Sequence, residues 1–100
     1  MRNKLLDNKK VMEENSYELW KGNGADMEAV SKAIQETAEI IVGISENLSD
    51  EDKLTTLQYV RTGLSDYENA NNKRDDFLMA DCLYYIWREI TTIYIDALGE

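Results

Sequence analysis

Apolar residues recur along this chain at intervals of three and four with polar residues between them, the spacing of helices that bury one face. The clearest case follows Asp26, where Met27, Val30, Ile34, Thr37, Ile41, Ile44 and Leu48 alternate steps of three and four. Glu28, Gln35, Glu39 and Glu46 fall on the polar side of that stripe, and Asp26 is a favoured N-cap residue. This pattern predicts a helix over 26–48. A narrower stripe of Leu5, Met12, Leu19 and Trp20, interrupted by Ser16, predicts a first helix over 4–21, with Gly22-Asn-Gly24 as its stop. Ser49-Asp-Glu-Asp52 has the form of a capping box, with acidic residues where the helix dipole favours them. It opens a third helix over 50–70, with Leu54, Leu57, Val60, Leu64 and Tyr67 as the expected inner stripe. Gly63 lowers the stability of that helix, a cost that a closely approaching neighbour would explain. Ala70-Asn-Asn72 reads as the next break, and a last helix is expected over 73–98.

The last helix is the most apolar. Stepped at about 100° per residue, it places Met79, Ala80, Cys82, Leu83, Ile86, Trp87, Ile90, Ile93, Tyr94, Ala97 and Leu98 on one broad face. Asp81, Tyr85, Arg88, Glu89, Thr92 and Asp96 share the other, together with Leu78, and Ile95 sits at its edge. So wide an apolar face must be covered by most of the remaining chain. Short connections make successive helices antiparallel neighbours. The expected fold is therefore all-α: a single domain over 1–100, an up-down antiparallel four-helix bundle with the C-terminal helix at its centre.

Charge narrows the choice of partners. The net charge is −9, and it is unevenly spread. Residues 1–21 carry five Lys/Arg against four Asp/Glu, while residues 22–100 carry six against sixteen. An acidic body repels nucleic acid and anionic lipid, so neither is an expected partner. Basic proteins, or partners that meet an apolar patch, are favoured. No apolar run is long enough to span a membrane, and the N-terminal Met1-Arg-Asn-Lys-Leu-Leu-Asp-Asn-Lys-Lys lacks the apolar segment of a secretory signal. With one cysteine and no disulfide framework, a cytoplasmic location is expected.

Catalytic chemistry is sparsely supplied. The chain has no His, the commonest general base and metal ligand, and a single Cys cannot build a thiolate zinc site. Glu36-Thr-Ala-Glu39 has the spacing with which all-helical nucleotide pyrophosphatases hold Mg²⁺, but no Glu-x-x-Asp partner exists to complete such a site. Asp76 projects toward the apolar side of the last helix, where Arg61 or a Tyr hydroxyl could pair with it, and Asp81 and Arg88 read as surface charge. Cys82 reads as a small buried hydrophobe. No enzyme, cofactor or metal is expected.

The run Asp76-Phe-Leu-Met-Ala-Asp-Cys-Leu-Tyr-Tyr85 resembles the final helix of a family of small bacterial helical proteins that carry an Asp-x-x-x-Leu-Ala-Asp-Leu-Leu-Glu-Tyr-Glu-Leu type of pattern near their C-termini. The likeness lies in Asp76, Ala80, Asp81, Leu83 and Tyr85 and departs from the pattern at Met79, Tyr84, Ile86 and Trp87. It spans about a fifth of the chain. That family is linked to motility and surface-glycan gene clusters, and it brings no catalytic residues with it. The general build is also similar to the small acidic helical chaperones of flagellar export.

Together these features suggest a non-enzymatic acidic protein-binding module, adaptor or chaperone-like. Leu78, Tyr85 and Ile95 are the expected apolar anchors, and Glu28, Glu39 and Glu46 would steer a basic partner or one presenting an amphipathic helix. The same apolar strip could instead make a homodimer. The alternative function is an acidic inhibitor, such as an immunity or anti-defence protein, that blocks a basic nucleic-acid-binding surface.

Overall fold

The computed structural model of the protein describes residues 1–99. Four helical rods make up the chain, and no strand occurs among the described residues. Three are α-helices: α1 (Arg2–Trp20), α2 (Met27–Ser45) and α3 (Asp50–Lys73). The fourth, the C-terminal rod, runs through α4 (Asp76–Asp81), a π-helical segment (Cys82–Trp87) and α5 (Arg88–Leu98). The Cα radius of gyration is 13.3 Å, near the roughly 13 Å of a compact 100-residue domain.

Local chemistry sets the boundaries. Asp26, Ser49 and Asp75 each accept a hydrogen bond from the backbone N–H three residues on, at 3.1, 3.3 and 3.0 Å, so each satisfies one of the free donors of the helix it opens. Beyond α1, Gly22 takes φ +80° while its own N–H bonds to the Leu19 carbonyl and that of Asn23 to the Glu18 carbonyl, a Schellman stop. The same motif ends α3, with Asp75 N–H on the Ala70 carbonyl and Arg74 N–H on the Asn71 carbonyl. Here Arg74 occupies the left-handed position, at φ 53°. The break is thus at Arg74 rather than at Ala70-Asn-Asn72, and the cap is Asp75. Conversely, α2 ends at Ser45, earlier than its stripe suggests, and 46–48 form a turn that leaves Leu48 exposed.

α1 packs against α2 and against all three parts of the C-terminal rod, α2 packs against α3, and α3 packs against α4 and the π segment. Trp87 is fully buried in the core. Its indole Nε1 donates to the Gly63 carbonyl at 3.0 Å, and a Cβ on Gly63 would lie 3.0 Å from the Trp87 ring. This is the neighbour that glycine in mid-helix accommodates. It also fixes the rotation of α3. With Gly63 facing inward, the buried positions are Thr56, Val60, Gly63 and Ala70. Leu54 and Leu64, expected inside, are exposed.

The core of α1 is part polar. Leu5, Asn8, Met12, Ser16 and Leu19 are its buried residues. Asn8 donates from Nδ2 to the Thr37 hydroxyl at 3.2 Å across the α1–α2 contact, and Ser16 returns its hydroxyl to the Met12 carbonyl at 2.7 Å. Buried polar groups need such partners, since one left unpaired costs about 1–3 kcal/mol.

The rod departs from its expected phase beyond Trp87. Arg88 N–H bonds to the Leu83 carbonyl, five residues back, whereas an α turn spans four. Each later residue is therefore set back by one position, about 100° of rotation. The inward set past Trp87 becomes Thr91 and Ile95, with Tyr94 and Leu98 half-buried. Ile93, expected in the core, is 61% exposed, and Ile95, expected at the outer edge, is only 5% exposed. Thr91 satisfies its buried hydroxyl on the Trp87 carbonyl at 2.6 Å.

Candidate protein-docking groove

Large apolar side chains are exposed at several places, Phe77 and Leu54 among them, and three of the most exposed, Tyr59, Tyr85 and Ile93, gather along the seam between α3 and the rod. α3 packs most closely against α4 and the π segment, while α5 packs mainly against α1 and the π segment and meets α3 only loosely. Between α3 and α5 lies a groove of about 360 Å³, and its walls include Tyr59 from α3 and Tyr85, Ile86, Ile90 and Ile93 from the rod. Tyr59, Tyr85 and Ile93 are each 61–62% exposed. The floor is held by a single polar contact, in which the Tyr94 hydroxyl donates to the Thr56 hydroxyl at 2.9 Å. Because the one-residue offset of the π segment turns Ile93 outward, the groove is a direct product of that segment.

A second depression of about 290 Å³ continues the groove toward the start of the rod. It shares Tyr85 and Ile86 with the first and adds Leu78, Asp81 and Cys82 from the rod with Asp66 and Asn69 from α3. The Cys82 thiol is pushed up to about 12, first by burial and second by the Asp66 carboxylate. It is therefore protonated at neutral pH and a poor nucleophile.

On the far side of Tyr85 the rod carries an aromatic ridge. The Tyr85 ring meets those of Tyr84 and Trp20 at centroid separations of 5.1 and 6.1 Å, and Tyr17 lies 5.8 Å from Tyr84. The Arg88 guanidinium sits 4.1 Å from the Tyr84 ring centroid, donates from Nε to the Tyr84 carbonyl and pairs with Glu89. Tyrosine, tryptophan and arginine grouped in this way are the residue types that dominate protein-interface energetics.

Of the anchors expected from sequence, Leu78 and Tyr85 are brought together at the narrow end of the groove. Ile95 is not, because the π segment rotates it into the core. Glu28, Glu39 and Glu46 are exposed on or just beyond α2, a helix that packs on α1 and α3 and contributes no groove residue. Asp76 is solvent-exposed and needs no partner. Glu36 is partly covered and bridges to Lys4 at 3.2 Å and Lys32 at 4.0 Å. No group of three or more acidic, Cys or His side chains among the described residues is arranged to hold a metal ion. None of the helices described is long and apolar enough to cross a membrane.

Sequence reasoning missed Tyr59, Ile90 and Ile93 as groove residues. Tyr59 could have been found, since an aromatic residue off the inner stripe of an otherwise polar helix face is unexplained by packing. Ile93 had no such signal, because a strict α phase buries it. No protein-family profile, curated protein or solved structure matches this chain.

Proposed function

We propose that this protein is a non-enzymatic, acidic protein-binding module of adaptor or chaperone-like type, which accepts an amphipathic helix of a partner in the groove between α3 and the C-terminal rod. The observation that carries this reading is the convergence of Tyr59, Tyr85 and Ile93 on one groove, each more than half exposed. Side chains of this size contribute to folding by being buried, so three left open around one concavity are better explained by a second chain that covers them. In this reading the rods form an up-down antiparallel bundle with the C-terminal rod as its central element. The resemblance of the rod's first half to small motility-linked helical proteins is compatible with such a role.

The test is fluorescence anisotropy with a labelled amphipathic peptide helix bearing leucines at i, i+4 and i+7, titrated against the protein and its Tyr85→Ser/Ile93→Ser variant. Saturable binding that weakens at least tenfold in the variant is expected. Equal affinity for both proteins would remove the groove from consideration. The alternative, an acidic inhibitor of a basic nucleic-acid-binding surface, draws support from the exposed Glu28, Glu39 and Glu46. It requires binding that collapses when salt is raised about tenfold, whereas apolar docking survives screening.

A further inference from the structure

The narrow end of the groove differs chemically from the wide end. Asp66, half-buried, and Asp81, exposed, contribute two carboxylates there, and neither takes part in an ion pair among the described residues. Around them stand the Tyr85 ring and the aliphatic side chains of Leu78 and Ile86. Two carboxylates carried by facing helices into one depression make a negative patch that a cation of a partner would complement. The wide end carries the opposite balance: its one acid, Glu89, is already paired with Arg88, and its walls are apolar.

Resting on the docking reading above, we infer that the narrow end is a socket for an arginine of the partner helix. Its guanidinium would sit between the carboxylates of Asp66 and Asp81 and against the Tyr85 ring, while apolar residues of the same helix fill the wide end. Arginine suits this place better than lysine. Its planar fork can donate to two carboxylates at once, and it stacks on an aromatic face while remaining weakly hydrated. The spacing follows from the rod itself. From Asp81 to Ile90 is nine residues, about 14 Å at 1.5 Å per residue. The arginine therefore lies two to three turns from the centre of the apolar anchors, at about i+7 to i+11. The ligand is thus a basic amphipathic helix with a fixed polarity, and not any apolar segment.

The experiment uses the designed peptide in paired versions, one with arginine two to three turns from the leucine cluster and one with citrulline, its uncharged isostere, at the same position. Each version is made with that residue at the N-terminal and at the C-terminal end. Affinities are measured by anisotropy for the full chain and for Asp66→Asn/Asp81→Asn, whose melting is checked by circular dichroism. For one polarity, the arginine peptide is expected to bind the unaltered protein roughly tenfold more tightly than its citrulline counterpart, and the difference should vanish in the variant. Equal affinity of the two peptides for the unaltered protein, or a difference that persists in the variant, would overturn the socket while leaving the groove intact. Failure of every version to bind would instead overturn the docking reading on which the socket rests.

Discussion

The C-terminal rod has two long seams, and they are built in opposite ways. Against α1 the rod is in contact along its whole length, and even its polar side chains are satisfied there: the Thr91 hydroxyl reaches both the Trp87 carbonyl and the Met12 sulfur. Against α3 the contact is tight at Trp87 and Gly63, then opens toward the end of the rod, where the Tyr94–Thr56 hydrogen bond spans it. One seam removes apolar surface from water and the other retains it. The first accounts for folding. The open part of the second seam leaves Tyr59, Tyr85 and Ile93 more than half exposed, and the proposed docking is placed there.

The largest effect is expected where the two seams meet. Trp87→Ala should cost about 3–5 kcal/mol, a large share of the stability of a domain this size, and a urea melt would measure it. Gly63→Ala should cost about 1 kcal/mol net, because the new Cβ would sit 3.0 Å from a fully buried indole and the strain of displacing it exceeds the roughly 1 kcal/mol that alanine gains over glycine in a helix. A melt raised by Gly63→Ala would mean that the Trp87 indole is free to move away from α3. Next in size is Arg74→Gly. A non-glycine residue in the left-handed region costs about 1–2 kcal/mol, so glycine at φ 53° should raise the stability by about 1 kcal/mol.

The open seam should respond differently. Replacing Tyr59, Tyr85 and Ile93 together by Ser should change unfolding free energy by less than about 1.5 kcal/mol, since surface substitutions seldom exceed about 0.5 kcal/mol each. A loss comparable to that of Trp87→Ala would show the groove to be core. The smallest effect near neutral pH is at Cys82. Burial pushes its thiol up to about 12 in the folded protein, so the unfolded chain releases this proton first. The contribution is complete below about pH 9 and is lost as pH climbs toward 12. Alkylation at pH 8 should be slow until the protein unfolds.

Much of the fold was legible in the sequence because helix periodicity and caps are local. Asp26 and Ser49 announce the helices they start, Gly22 ends α1, and the glycine inside α3 pointed to a close neighbour before Trp87 was known to be that neighbour. What was hidden depends on tertiary contacts. The phase of α3 is set by an indole 24 residues away, so Leu54 and Leu64 looked inward on periodicity alone. Nothing local distinguishes Cys82–Trp87 from an α-helix, and one additional residue per turn was enough to exchange Ile93 with Ile95. Leu78 and Tyr85 were readable as lying toward the outer face because they precede the end of that segment. The wide end of the groove, which follows it, was not.

The docking groove is tested most directly by methyl-resolved NMR on isoleucine- and leucine-labelled protein titrated with the basic amphipathic peptide. The Ile86, Ile90 and Ile93 methyl resonances are expected to shift together along one binding curve while Ile34 and Ile41, buried in α2, stay in place. Shifts confined to Leu54 and Leu64 on the other face of α3, or no shift at Ile93 at saturation, would contradict a docking site between α3 and the C-terminal rod.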